Sequence, residues 1–243
     1  MFFTLFILSV NAAWCETYTK QTIQSNQIYM LSDSWIGGKC RSEECSIPQN
    51  KVIYETNMII DSLSVLDNGK KMQCCDYEGR RDDLETYVPQ LLKYNHYYQN
   101  RIADEWTGYA ACDAPAKAYV QYGTCMPEKF QQPYGYFNAT MKLYQNYNVW
   151  SYLRNYIYNI GEEYVYSVDK LNDLLNVRNF PSKVQFTCAK DTNMVTGVNV
   201  CFTMKNKELI QTECPAVEGV EECGKFVYFA DKPEEKKADK CPF

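Results

Sequence analysis

The residues Tyr122-Gly123-Thr124-Cys125, followed by the amphipathic run Gly135-Tyr136-Phe137-Asn138-Ala139-Thr140-Met141, are where this chain would present chemistry. A small turn and a cysteine feeding into a helix is one way a fold offers a side chain to a cleft. The side chain heading this turn is a phenol, whose ordinary pKa of about 10 makes it a weak proton carrier at neutral pH. The chain holds one histidine, His96, set among Tyr94, Tyr97 and Tyr98, and it reads as a surface or packing residue rather than a catalyst. Asp61 ends the apolar run Asn57-Met58-Ile59-Ile60 and reads as a cap or turn residue before it reads as a base. A zinc site is disfavoured, because Cys74-Cys75 is adjacent rather than spaced and only one imidazole is available. Nothing in the sequence calls for a metal or a cofactor.

These residues need elements to position them. Gln27 to Leu31 and Ile53 to Asp61 read as strands, and Asn68-Gly69-Lys70-Lys71 as a turn. From Asp82 the spacing becomes helical through Leu84, Val88, Leu91 and Leu92, with Pro89 expected to kink or split the helix and His96 further along it. Ala118-Tyr119-Val120-Gln121-Tyr122 alternates as a strand does. Further helices are expected around Phe137, Met141 and Tyr144, around Val149, Leu153 and Ile157, and around Leu171, Leu174 and Leu175. Four strand-like runs follow, Val184 to Cys188, Val198 to Thr203, Leu209 to Thr212 and Phe226 to Phe229. Strands, a helical middle and strands again give an α+β domain with a mixed or antiparallel sheet.

At 243 residues one domain is expected over residues 15–230. Residues 1–14, with Phe2 to Val10 apolar and small Ala12 and Ala13, read as a signal peptide, too short an apolar run to span a bilayer. Residues 231–243 read as a charged, solvated and mobile tail. Twelve cysteines in an exported chain read as a disulfide framework, with Cys40 and Cys45 close enough for a small loop bridge. The single sequon, Asn138-Ala139-Thr140, marks Asn138 as a glycan acceptor if it faces solvent. A net charge of -5 argues against broad electrostatic capture of nucleic acid, although a local basic groove stays open. The expected protein is secreted, extracellular, monomeric and free of membrane spans.

The chain resembles the ribonuclease T2 family of secreted acid endoribonucleases over nearly its whole mature length. The family's second block, His-Glu-Trp-x-Lys-His-Gly-Thr-Cys, ends as Tyr122-Gly123-Thr124-Cys125 does. Its following helix resembles Tyr136-Phe137-Asn138-Ala139-Thr140-Met141-Lys142-Leu143-Tyr144 with Tyr147-Asn148-Val149. Ser34-Trp35 to Cys40 is similar to the family's first strand and following cysteine, and Cys188, Cys201, Cys214-Pro215 and Cys223 to its C-terminal strands. The resemblance implies bridges Cys40 to Cys45, Cys201 to Cys214, Cys188 to Cys223, and Cys125 to Cys74 or Cys75. The other of that adjacent pair would take Cys112, and Cys15 would pair with Cys241.

The family's catalytic residues do not carry over. Its first block, Ile-His-Gly-Leu-Trp-Pro, aligns with Ile60 to Val65, placing Asp61 at the histidine and Ser64 at the tryptophan. Lys117, Ala118, Tyr119, Gln121 and Tyr122 stand where the second block has His, Glu, Trp, Lys and His. A register through Asp104-Glu105-Trp106 keeps Glu-Trp but loses Gly-Thr. The family's reaction, attack of a 2′-hydroxyl on phosphorus, needs one group to take a proton and another to give one. The resemblance without these groups implies a pseudoenzyme that acts by binding RNA, a nucleotide or a protein or surface partner. Lys117, Tyr119 and Tyr122 are the candidate ligand contacts. The alternatives are a weak or unconventional endoribonuclease and, from Trp35-Ile36-Gly37-Gly38 alone, a lipocalin-like carrier.

Overall fold

The computed structural model describes residues 13–21, 27–43, 45, 47–48, 58–106, 113–177, 180–231 and 237–238. The first half is built of β1 (Thr19–Lys20), β2 (Ile28–Trp35), α1 (Ile36–Ser42), β3 (Ile47–Pro48), β4 (Met58–Asp67), β5 (Lys70–Lys71) and β6 (Cys75–Asp76). The helical middle runs α2 (Leu84–Tyr94), α3 (His96–Glu105), α4 (Ala114–Tyr122), a 3₁₀ turn Gly123–Cys125, α5 (Glu128–Gln131), α6 (Pro133–Asn146) and α7 (Val149–Leu153). Then come β7 (Tyr166–Ser167), α8 (Val168–Asn176), β8 (Gln185–Cys188), β9 (Val195–Lys205), β10 (Glu208–Thr212), β11 (Phe226–Val227) and β12 (Lys237–Ala238). The fold class is α+β, as the order of elements implied.

A six-stranded sheet in the order β10-β9-β2-β4-β5, with β8 also on β9, forms the frame, and these pairings are antiparallel. The sheet is open, so the carrier reading from Trp35-Ile36-Gly37-Gly38 is overturned. These residues instead turn β2 into α1, where a Cβ on Gly37 would lie 1.8 Å from the Ala230 carbonyl oxygen and one on Gly38 1.8 Å from that of Val195. Glycine is there because the helix runs against backbone.

The sheet is buried on both faces. Tyr29, Leu31, Trp35, Ile60, Leu63 and Val65 join the main core under the helices, while Met30, Leu66, Cys201 and Val217 make a second cluster behind. That explains why β2 and β4 read as nearly continuous apolar runs.

Local expectations fail in instructive places. Ala118 to Tyr122 is helical, not a strand: Pro115 starts α4 and consecutive residues 118, 119 and 120 are all buried, as no two-sided strand alternation requires. The break in the long helix comes at Asn95, which caps α3 by accepting from Tyr97 N and Tyr98 N, while Pro89 stays inside α2. His96 therefore begins a separate helix.

Of the charged tail, Lys237–Ala238 pairs in parallel with Ile47–Pro48, and Asp231 is held by Arg41. Asp231 itself is exposed. Residues 1–12, 232–236 and 239–243 lie outside the described residues.

Five bridges join described cysteines: Cys15–Cys74, Cys40–Cys45, Cys75–Cys125, Cys188–Cys223 and Cys201–Cys214. Cys74 takes Cys15 rather than Cys112. The reason is the parallel pairing of β1 with β6, which lays the N-terminal segment beside the adjacent pair. Cys15 is thereby unavailable to Cys241, and Cys112 and Cys241 lie outside the described residues. Among these residues no helix is long and apolar enough to cross a membrane.

Candidate functional site

The site forms where α4 meets β4, and the Gly-Thr-Cys turn fixes their approach. A Cβ on Gly123 would fall 2.4 Å from a ring carbon of Tyr119 and 3.0 Å from one of Tyr136, so the two rings close over the glycine. Thr124 Oγ1 accepts from Cys75 N at 3.2 Å and donates to Val120 O at 3.1 Å. Cys125 bridges to Cys75. The Tyr136 hydroxyl accepts from Leu63 N at 3.1 Å and donates to Leu63 O at 3.0 Å, tying α6 to β4 just beyond Asp61.

Asp61 is not at a strand end. β4 continues through it to Asp67, and the register with β2 slips there, Ser32 facing Ser62 and Asp33 facing Ile60. Asp61 is the extra residue of a β-bulge, the irregularity by which a sheet re-aims one side chain. Trp106 Nε1 donates to its carbonyl oxygen at 3.3 Å. Thus Trp106, the tryptophan of the discarded register, is a buried prop beneath the bulge.

Lys71 completes the group, and the sequence, read there as a turn, gave no signal of it. From β5 its ammonium stands 5.7 Å from the centre of the Tyr122 ring. Burial lowers its pKa, which Asp61 offsets upward, while Lys39 lowers it further. Tyr122 titrates above its ordinary value because it is buried and Asp61 adds repulsion. Asp61 and Lys71 line a cleft of ≈450 Å³ shared with Ser32, Ser34, Thr187 and Lys190. Its floor is polar: Ser32 Oγ donates to Asn199 Oδ1 at 2.8 Å, and Asn199 Nδ2 to Gln185 Oε1 at 2.9 Å.

The other candidate contacts are placed elsewhere or already occupied. Tyr119 is 0% exposed, donates to Gln131 O at 2.9 Å, and lies 3.2 Å from the Tyr77 hydroxyl, so it belongs to the core. Lys117 projects from the exposed side of α4 and is not among the residues lining the cleft. Gln121 donates to Trp14 O at 3.3 Å. Ala118 is buried, with its carbonyl oxygen 3.4 Å from the Tyr136 hydroxyl. His96 is exposed and contacts Gln99 Oε1 at 3.1 Å. Asn138 is exposed on α6, while Thr140 of its sequon is buried and donates to Tyr136 O.

Asp33, on β2, is 3% exposed and neither carboxyl oxygen has a hydrogen-bond partner. Burial first, then Asp61, pushes its pKa well above the usual carboxylate range. A carboxyl that holds its proton more tightly folded than unfolded costs stability as pH rises from about 4 towards its raised value. Melting temperature should therefore fall less between pH 5 and pH 8 in Asp33→Asn than in wild type. Parallel slopes by calorimetry would refute this account of Asp33.

The family model of the ribonuclease T2 family matches residues 26–223. The chain belongs to the ribonuclease T2 family. Among solved structures, the RNase-related protein from Calystegia sepium matches with a TM-score of 0.64 at 22% identity, covering 87% of this chain and 100% of that one. Trichomaglin, described as a novel S-like ribonuclease, matches at 0.65 and 20% identity over 86% of this chain and 99% of its own. RNase NT, solved in complex with 5′-AMP, matches at 0.65 and 19% identity over 86% and 100%. No curated protein matches by sequence. In this ribonuclease T2 chain Asp61 and Tyr122, one from each block, are both close enough to Lys71 to shape one local field.

Proposed function

We propose that this chain is a secreted ribonuclease T2-fold protein that binds at its cleft and does not cut RNA. The observation that carries the reading is the composition of the meeting point: a carboxyl, an ammonium and a phenol, with the single imidazole out on α3. Transesterification at phosphorus gathers negative charge, and Asp61 opposes that charge where a cationic or neutral group would favour it. Five bridges among the described cysteines and the apolar start of the chain support export, and exposed Asn138 supports a glycan there.

The cleft's ligand class is a nucleotide or the phosphate of RNA, received by Lys71. RNase NT, its structural neighbour, was solved with 5′-AMP. A compact ammonium suits phosphate as a point charge. A protein or cell-surface partner is the other class of occupant. The competing reading, a weak endoribonuclease, rests on the lowered pKa of Lys71, which brings an amine nearer to proton exchange at neutral pH.

Titration with 5′-AMP at two ionic strengths separates these readings. Affinity should weaken with salt and drop about tenfold in Lys71→Ala, with Lys117→Ala near wild type, since of these two lysines Lys71 lines the cleft and Lys117 does not. Affinity indifferent to Lys71 rejects nucleotide binding at this site. Digestion of RNA by the purified protein at pH 5 or 7, abolished by Lys71→Ala or Asp61→Asn, overturns the non-cutting reading.

A further inference from the structure

A contact remote from the cleft chemistry lies where the apolar leader meets the folded domain. Glu85, in the first turn of α2, turns one carboxylate oxygen onto two backbone nitrogens, Trp14 N at 2.7 Å and Cys15 N at 3.2 Å. Trp14 packs against the main core, its carbonyl oxygen accepts from Gln121, and Cys15 is buried and bridged to Cys74. Ala13 is exposed. The chain becomes part of the domain at Trp14.

We propose that a leader peptidase cleaves between Ala13 and Trp14, and that the Trp14 ammonium released by the cut is held by Glu85 as the N-terminal ion pair of the mature chain. In the step, water adds across the amide bond. The Ala13 carbonyl becomes a carboxylate, and Trp14 keeps its nitrogen as an ammonium. No other reactant is needed.

Three observations converge on this bond. Ala12 and Ala13 are the small residues that end the apolar run, which is where leader peptidases cut. The Trp14 to Glu85 distance of 2.7 Å is that of a charged N–H···O contact. Glu85 also lacks a cationic side-chain partner among the described residues, since Arg80 pairs with Asp76 and Asp82, and Arg81 with Asp83. A cut one residue later, at the 14/15 boundary expected from the sequence, would remove the Trp14 packing and the Gln121 bond. A cut before Ala13 would leave the new charge on that exposed residue and Glu85 facing neutral amides only.

The ionisable groups around Glu85 are Tyr18 on the N-terminal segment, which feels its charge, and Arg80, Arg81 and Asp83 ahead of α2. Exported protein, made from the full chain with its own leader, is sequenced from its N-terminus, and its α-amino group is titrated by pH-dependent acylation. The expected chain begins Trp14-Cys15-Glu16, with an α-amino group titrating above the usual value of about 8. Glu85→Gln should return that titration to the usual value and lower the melting temperature by a few degrees. A different first residue overturns the cleavage assignment. A Trp14 amine that titrates as a free group in wild type, or is unmoved by Glu85→Gln, overturns the ion pair. If Glu85→Gln is not exported, the wild-type first residue and titration decide both points. None of these readouts depends on whether the cleft cuts RNA.

Discussion

Asp61→His combined with Tyr122→His, in a background carrying Lys117→His, Ala118→Glu and Gln121→Lys, should raise RNA cleavage at least about 10²-fold over wild type. The frame for the two histidines at 61 and 122 is already present, whereas residue 117 lies on the exposed side of α4 and residue 118 is buried. The Gly123 turn, the Cys75–Cys125 bridge and the Tyr136 hydroxyl hold α4 against β4, so positions 61 and 122 face one another's field across Lys71. Each positioned acid or base is typically worth about 10²–10⁴ in rate, and such gains do not simply multiply. Asp61→His also removes the carboxylate that raises the pKa of Asp33 and of Tyr122. Cleavage of a homopolymer RNA, followed by release of soluble nucleotide across pH 4 to 8, measures the outcome. Folded variants that remain silent would show that the bulge aims residue 61 away from a productive geometry.

Gly38→Ala should cost about 4 kcal/mol, near the upper end of single substitutions. The added carbon would lie 1.8 Å from Val195 O and 2.7 Å from its carbonyl carbon, which are backbone atoms of the central strand β9. No side-chain rotation relieves that overlap; α1 must lift from the sheet. The lift would loosen the cleft wall that Lys39 and Ser42 contribute. In a chain of this length the loss corresponds to a melting temperature about 10 °C lower. Gly224→Ala is the control, since its φ is not in the left-handed region and the nearest atom to a Cβ there, Asn193 Oδ1, lies at an ordinary 3.8 Å.

How much the sequence disclosed follows how local each cause is. Gly123, Thr124, Cys125 and Tyr136 were readable because each performs one packing or bonding task at a fixed spacing. The strand-like look of Ala118 to Tyr122 misled because five alternating residues fit either element. Pro115, and the burial of successive residues, decide for the helix. Asp61 was readable as the residue at a family position but not as a bulge, since a register slip belongs to the pairing of β2 with β4 and to neither strand alone. Lys71 was invisible because its partners are brought by α4 and β4. Tyr119 and Lys117, equal candidates in sequence, are separated only by which side of α4 the core covers. The partner of Cys74 depended on a two-residue parallel pairing that no periodicity announces.

The adjacent half-cystines also set an order for oxidation. Cys74 is committed to Cys15, upstream by 59 residues, and Cys75 to Cys125, downstream by 50. As a chain emerges from N-terminus to C-terminus, Cys15 meets both neighbours before Cys125 has been made. The exchanged isomer, Cys15 with Cys75, is therefore open as early as the native bridge, and where it forms it is corrected by attack of the Cys74 thiolate on the Cys15 sulfur, releasing the Cys75 thiolate. A disulfide isomerase, or a pause that lets β1 settle on β6, supplies that correction, and refolding of the reduced chain in its absence should show a slow thiol-dependent phase.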